Sequence, residues 1–392
     1  MVNNRYVTEV GYLSFNHVGE ELCGDHIEVT SPDDSTKILV LADGLGSGVK
    51  ANILSTLTSK LLSSMIAGDI SIKECIRCIA KTLPVCKVRN VAYSTFTIIK
   101  VKDNKEVDIY NFDNPTPFVI HDGKAMDLSY SSTEIDGKMI YHAKYEASLN
   151  DAFVLMSDGV KYAGVGETLN FGWDIPQVKE FAEKVYFAGC SAKALATEIA
   201  YRCNQLYANK PGDDTTVAVV KIREREQANL IFGPAAHKED DNKMLSLFFS
   251  KEGIHIVSGG TTGNIVAKYL NKRLVLQTEY LDKDVPPIAS IEGVDLVTEG
   301  VITMNKVLEY INSYFTDNSC YFDWFYHQDG ASRIANYLIE QASDINFFVG
   351  CAINTAHQGE ETGINFTTKM HLIDEIANKL KQMGKQVRVS YF

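Results

Sequence analysis

Residues 38–48 read ILVLADGLGSG. An unbroken apolar run meets an acid at Asp43, and three glycines then occupy five positions, 44 to 48. A continuous apolar stretch of this length reads as a strand covered on both faces. Ending such a strand on a carboxylate is costly unless something cationic meets it. Glycine beside the acid suits a close approach to the backbone. A metal ion accounts for both features, and such an ion needs further oxygen ligands from elsewhere in the chain.

Three other stretches resemble this one. CGDHIEV (residues 23–29) places Asp25 at the start of a strand, after Gly24. LMSDGV (155–160) ends an apolar strand on Asp158, before Gly159. GDDTTVAVV (212–220) sets Asp213 and Asp214 ahead of a last strand. Carboxylates gathered at one rim raise one another's pKa and need cations to neutralise them. All-oxygen ligation selects Mg²⁺ or Mn²⁺ over zinc. Two such ions about 3.5–4 Å apart activate water for phosphoryl chemistry. Taken singly each acid–glycine pair is a turn signal; the set of four at strand ends carries the metal reading.

Around these motifs the pattern alternates. Residues 47–68 carry Ile53, Leu57, Leu61, Leu62 and Met65 at helical spacing, and a second helix follows up to Pro84. Short strands are expected between 92 and 144, with EVDIYNF and PFVIHDG as a hairpin pair. Two helices follow, then the strand TTVAVVKI. REREQAN (223–229) is a charge run and reads as a linker between a first domain, 1–222, and a second, 230–392. Strand and helix alternate in the second part, as in a small α/β layer domain.

The chain has 392 residues, enough for two or three domains, with 45% hydrophobic and 22% charged residues. A net charge of −12 and the lack of a Lys/Arg block argue against nucleic acid as a partner. No long apolar run predicts a membrane span, and MVNNRYVTEV lacks the apolar core of a signal peptide. Eight scattered cysteines, with Cys75 and Cys78 the one C-x-x-C and no second pair, read as reduced thiols in a cytoplasmic protein.

In their order, CGDHIEV, LADGLGSGVKAN, MSDGV and GDDTTVAVV resemble the metal motifs of PPM (PP2C-type) protein phosphatases, in the bacterial SpoIIE-like branch. The resemblance spans about residues 5–222. It implies an α-β-β-α sandwich, a two-metal site between its sheets, and hydrolysis of phosphoserine or phosphothreonine on proteins. By the resemblance Asp43 bridges both ions and the Gly44 carbonyl binds one. Asp158 and Asp213 complete the other shell, Asp25 binds directly or through water, and Asp214 stands behind the ligands. The expected cofactors are two Mn²⁺ or Mg²⁺ ions. The expected substrate is a phosphorylated regulatory protein of STAS type in bacterial signalling, and a homodimer is compatible. Many eukaryotic relatives have His after the DG, where this chain has Leu45. Their phosphate-contacting arginine has no clear counterpart, since Arg5 reads as a surface residue. In this branch the helix after the bridging aspartate is a switch element, so a partner docking on 47–83 would control activity. Two other readings stand beside this one: an inactive scaffold with the phosphatase fold, and a two-metal phosphohydrolase acting on a small molecule.

In the second domain IVSGGTTGNIVAKYL (256–270) runs from strand to Gly-rich turn to helix. Gly260, Thr261, Thr262 and Gly263 offer an anion site at a helix N-terminus. The turn lacks a P-loop lysine and the spacing of a dinucleotide fingerprint, and a tight capped turn is the competing reading. Glu299 beside Gly300 could line the same pocket. A regulatory or ligand-binding role is expected for this domain. His237, His255, His327 and His357 show no ligand spacing.

Overall fold

The computed structural model describes residues 5–82, 94–277, 281–352 and 362–392, with backbone alone for 80–82 and 362–368. Pro84, Cys86 and His357 lie outside the described residues. The chain divides into two compact units, Met1–Glu224 and Arg225–Phe392.

The first unit runs β1 (Tyr6–Phe15), β2 (Asp25–Thr30), β3 (Lys37–Gly44), α1 (Gly48–Ala67), α2 (Ile72–Thr82), β4 (Ser94–Lys102) and β5 (Glu106–Phe112). It continues with β6 (Phe118–His121), β7 (Lys124–Asp127), β8 (Tyr130–Ile135), β9 (Lys138–Glu146) and β10 (Ala152–Met156). Helices α3 (Asp158–Lys161), α4 (Ile175–Val185) and α5 (Ala192–Leu206) precede β11 (Thr215–Glu224). One sheet has the order β1-β11-β10-β6-β7, the other β2-β3-β4-β5-β9-β8.

Strand β3 explains why the sheets stack. Its alternate residues Leu39 and Leu41 pack with Phe153, Leu155, Ala218 and Val220 of the facing sheet. Ile38, Val40 and Ala42 point the other way, onto Leu54, Leu62 and Ile66 of α1 and Ile76 of α2. A strand buried on both sides must be apolar at every position, which is the run read in the sequence. Helix α5 covers β1 and β11 from outside. The layers are therefore α-β-β-α. Hydroxyls tie α1 to β2: His26 Nδ1 lies 2.7 Å from Ser59 Oγ, and Thr30 Oγ1 2.6 Å from Ser63 Oγ.

Two expectations change. EVDIYNF and PFVIHDG are not a hairpin: β5 pairs with β4 and β9, whereas β6 pairs with β10 and β7 in the other sheet. The chain crosses between sheets at an asparagine turn. Asn111 Oδ1 accepts from Thr97 Oγ1 at 2.6 Å, and Asn111 Nδ2 donates to the Asn114 carbonyl at 2.8 Å. Those buried bonds hold the corner that a hairpin would have closed. Nor is 223–229 a linker throughout. Arg223 and Glu224 finish β11, and Gln227–Asn229 already belong to the next strand, leaving Arg225 and Glu226 between. The charges stay solvated or paired inside strands: Arg223 Nη1 meets Glu9 Oε1 at 3.0 Å.

The second unit contains β12 (Gln227–Phe232), α6 (Asp241–Phe249), β13 (Ile254–Ser258), α7 (Gly260–Leu270), β14 (Val275–Leu276), β15 (Ala289–Ile291) and β16 (Val294–Thr298). After it come α8 (Val301–Tyr314), α9 (Tyr321–Trp324), α10 (Gly330–Ala335), β17 (Asp344–Val349), α11 (Thr362–Gln382) and β18 (Gln386–Tyr391). A π-helix, Asn336–Gln341, extends α10. The sheet order is β14-β15-β16-β13-β12-β17-β18, and the five strands from β16 to β18 are parallel. Ile231, Val257, Val297 and Phe348 pack on α6 and α7, while their neighbours Leu230, Ile256, Leu296 and Phe347 are buried on the other side. Among the described residues no helix is long and apolar enough to cross a membrane, and the seven described cysteines are free thiols.

Candidate functional site

Strand ends set the acids. Asp25 and Asp43 are direct cross-strand partners at the end of the β2–β3 ladder. Like charges opposite each other oppose strand pairing, so the rest of the ladder, on the apolar strand β3, holds them there. Gly44 N–H donates to the Gly24 carbonyl at 3.1 Å, and Ser94 Oγ to the Asp43 carbonyl at 2.9 Å. In the facing sheet β10 and β11 are antiparallel neighbours with Met156 opposite Val217. Their ends are locked by Ser157 N–H on the Thr216 carbonyl (3.0 Å) and Thr216 N–H on Ser157 Oγ (2.9 Å). Asp158, first residue of α3, and Asp213 and Asp214, just before β11, therefore share one rim.

The two rims interact across the sandwich. Burial, then the charges of Asp25, Asp158 and Asp213, push the Asp43 carboxyl up to about 10. Asp43 and Asp158 face each other closely enough to share a proton, and Asp158 is raised chiefly by burial. Burial and then Asp158 push Asp213 up to about 6. Asp25, 4% exposed, is driven well above the carboxylate range by burial, with Asp214 and Asp158 adding to it. The Ser157 and Thr216 hydroxyls approach Asp25 and offset part of this. Neither Asp25 oxygen has a hydrogen-bond partner among the described residues.

Asp214 stands between the two rims' glycines. It is buried, its Oδ1 accepts the His17 amide at 3.0 Å, and its Oδ2 has no partner among the described residues. A Cβ on Gly24 would stand 2.6 Å from that Oδ2, and one on Gly159 2.2 Å from the Asp214 carbonyl. The glycines flanking Asp25 and Asp158 thus leave room for Asp214 itself. Tyr207 OH donates to the Gly159 carbonyl at 2.8 Å and steadies the start of α3. Neither Tyr207 nor His17 stood out in the sequence, since a lone Tyr or His carries no local pattern. Arg5 pairs with Glu224 at 2.6 Å on the surface.

These donors are all oxygens, several are buried without a partner, and they repel one another. That set fits a hard divalent cation. Among the described residues no three His, Cys, Asp or Glu side chains form a group that could hold a metal as they stand.

Residues 33–223 match the family model described as Stage II sporulation protein E (SpoIIE). Asp43, Gly44, Asp158, Asp213 and Asp214 lie inside the match, and Asp25 precedes it. Comparison with curated proteins found no match. Among solved structures the chain is similar to the PP2C phosphatase domain with a regulatory-domain fragment of SpoIIE from Bacillus subtilis, at 20% identity and TM-score 0.48. That similarity covers 56% of this chain and 64% of that one, so the chain spans under two thirds of that structure. RsbX in complex with magnesium is similar at 19% identity and TM-score 0.40, over 56% of this chain and 96% of that one. The catalytic domain of the serine threonine protein phosphatase PstP with two manganese ions is similar at 15% identity and TM-score 0.37, over 56% and 99%. Over residues 33–223 the first unit, with its two facing sheets and outer helices, is thus similar to the SpoIIE family.

Proposed function

We propose that the protein is a metal-dependent phosphatase that hydrolyses phosphoserine or phosphothreonine on a regulatory protein, with two divalent ions at the first unit's carboxylate rim. The observation that carries this reading is the gathering of Asp25, Asp43, Asp158 and Asp213 from strand ends in two sheets, where burial raises all four and neighbouring acids raise Asp25, Asp43 and Asp213 further. Such an arrangement destabilises the fold unless cations are bound, and selection of a costly cluster points to chemistry. Asp43 would bridge the ions, with the Gly44 carbonyl on one, Asp158 and Asp213 on the other, and Asp25 direct or through water. When bound, Mn²⁺ or Mg²⁺ ions supply positive charge for the phosphoryl oxygens and lower the pKa of an attacking water. The chain's own work is to hold the acceptors. The β2–β3 ladder fixes Asp25 against Asp43, and the Ser157–Thr216 lock fixes Asp158 against Asp213. Asp214 anchors the β1–β2 connection through the His17 amide. Leu45, half exposed, brings no proton to the site.

The test is turnover of p-nitrophenyl phosphate and of a phosphoserine peptide with Mn²⁺ present. Turnover of both, abolished by chelation, is expected. Turnover of the small ester alone would favour a small-molecule phosphohydrolase, and none at all an inactive scaffold.

We also propose control through α1, with a partner protein, expected to be of STAS type as substrate or effector, docking on 47–83. A Cβ on Gly44 would stand 2.2 Å from the Ala51 carbonyl, so α1 lies directly against the backbone beside Asp43. Asn52 Nδ2 donates to the Cys23 carbonyl at 2.8 Å, reaching the segment just before Asp25. Val49, Ile53 and Leu57 form an exposed stripe on the far side, 62, 52 and 46% exposed. Ile53→Lys is expected to change kcat and the Mn²⁺ concentration for half activity together, by about fivefold or more. A change in kcat with unchanged Mn²⁺ affinity would count against control through the metal site. The second unit is proposed to be regulatory or ligand-binding.

A further inference from the structure

The second unit brings two helix starts together. Helix α7 follows β13 through Gly259, and α8 follows the adjacent parallel strand β16 through Gly300. Both N-cap residues are glycine and neither helix has a side-chain cap. A Cβ on Gly300 would lie 3.6 Å from the Gly259 Cα, so the two caps touch. Gly259 has φ +120°, which favours glycine, and its N–H donates to the Thr298 carbonyl at 2.9 Å. Two positive helix ends thus converge on one point of the sheet's carboxyl edge.

Each first turn also buries an unpaired hydroxyl. Thr262, 2% exposed, and Thr303, fully buried, are the third residues of α7 and α8. Neither Oγ1 has a hydrogen-bond partner among the described residues. Thr262 Oγ1 lies 3.0 Å from where a Cβ on Gly259 would stand, so it points back across the cap into the turn. A buried hydroxyl left unpaired is costly, and a ligand oxygen in the turn would satisfy it. Gly263 has a separate task. A Cβ there would meet Leu274 Cδ1 at 2.9 Å and Val297 Cγ1 at 3.3 Å, so glycine sets α7 close onto β16.

Glu299 sharpens the ligand class. It follows β16, is exposed, and its carboxylate oxygens lie 3.5 and 3.6 Å from the Cβ position of Gly260. A carboxylate at this mouth repels a bare phosphate but accepts two hydroxyl protons from a sugar diol. An acid after the strand beside a Gly-rich strand–turn–helix is the arrangement that reads ribose hydroxyls in nucleotide-binding α/β folds. Here it stands one strand outward from β12, where the strand order reverses, and only the short β15 and β14 lie beyond β16. We propose that this turn is a ribonucleotide site: phosphate at the joined starts of α7 and α8, and the ribose 2′,3′-diol on Glu299.

The test is calorimetric titration of the full chain with the four ribonucleoside 5′-mono- and diphosphates, their 2′-deoxy counterparts and inorganic phosphate. At least one ribonucleotide is expected to bind, with its 2′-deoxy form weaker by about tenfold or more. Glu299→Gln is expected to erase that preference and to strengthen inorganic phosphate. Glu299 is exposed, so this variant folds, and its melting temperature checks that. Thr262→Val should weaken ribonucleotide and deoxynucleotide alike. No binding by any ribonucleotide at millimolar concentration, equal affinity for ribo and deoxy forms, or a preference that survives Glu299→Gln would overturn the proposal. None of these outcomes touches the phosphatase assay.

Discussion

Asp43→Asn is expected to lower kcat/KM on a phosphoserine peptide by roughly a thousandfold or more with Mn²⁺ present. The fold should survive. Burial and three neighbouring acids push Asp43 up to about 10, so without metal it is neutral near pH 7. Asparagine copies that neutral form in size and charge. What it cannot do is ionise when a cation arrives. The metal-free melting temperature of the variant should therefore match the parent, while the rise on adding Mn²⁺ should be largely lost. Retained activity in a variant with the parent's stability would remove Asp43 from the mechanism. A variant that melts much earlier without metal would show that the side chain has a structural role instead.

Metal-free protein should become less stable as pH rises from about 5 to about 8, by roughly 3–6 °C in melting temperature. An acid whose folded pKa is raised adds stability below its unfolded value and loses it as pH climbs through the folded one. For Asp213 that window runs from the ordinary carboxylate range to about 6, and for Asp43 it extends toward about 10. Asp213 is only partly buried, so solvent reduces its share. His121, raised mainly by its hydrogen bond to Asp151, works in the same direction from a different place. Asp213→Asn separates the two: it should flatten the slope in chelator, as should Mn²⁺ on the parent. A slope unchanged by either would mean that the carboxylates do not burden the fold.

What could be read in advance follows from how local each signal is. The β3 run was legible because a strand buried on both faces has no polar positions to blur it. Asp25, Asp43, Asp158 and Asp213 were legible because each sits beside a glycine at a strand end, a pattern a few residues long. The destination of β6 was not. Its sequence suits either sheet, and the choice is made by the bonds of Asn111 and Asn114 at the corner. Charge alone hid the strand ends within 223–229, since Arg223 and Arg225 find partners in Glu9 and Asp344. Glu299 gave only a weak hint because a hairpin, β14–β15, separates it in sequence from the turn it faces. Thr303 gave none; its relation to Thr262 exists only after β13 and β16 pair.

The pairing of β1 with β11, Tyr6 opposite Glu224, joins the two extremes of the first unit. During synthesis, β10 and β1 therefore wait with bare edges until the last strand emerges from the ribosome. Contacts this distant along the chain form slowly, and unpaired edges recruit other chains. A nascent fragment ending at Gly212 has neither a closed sandwich nor Asp213 and Asp214, and its bare edges would seek a neighbour to pair with. Completion of the carboxylate rim and the covering of the bare edges thus arrive in the same folding step.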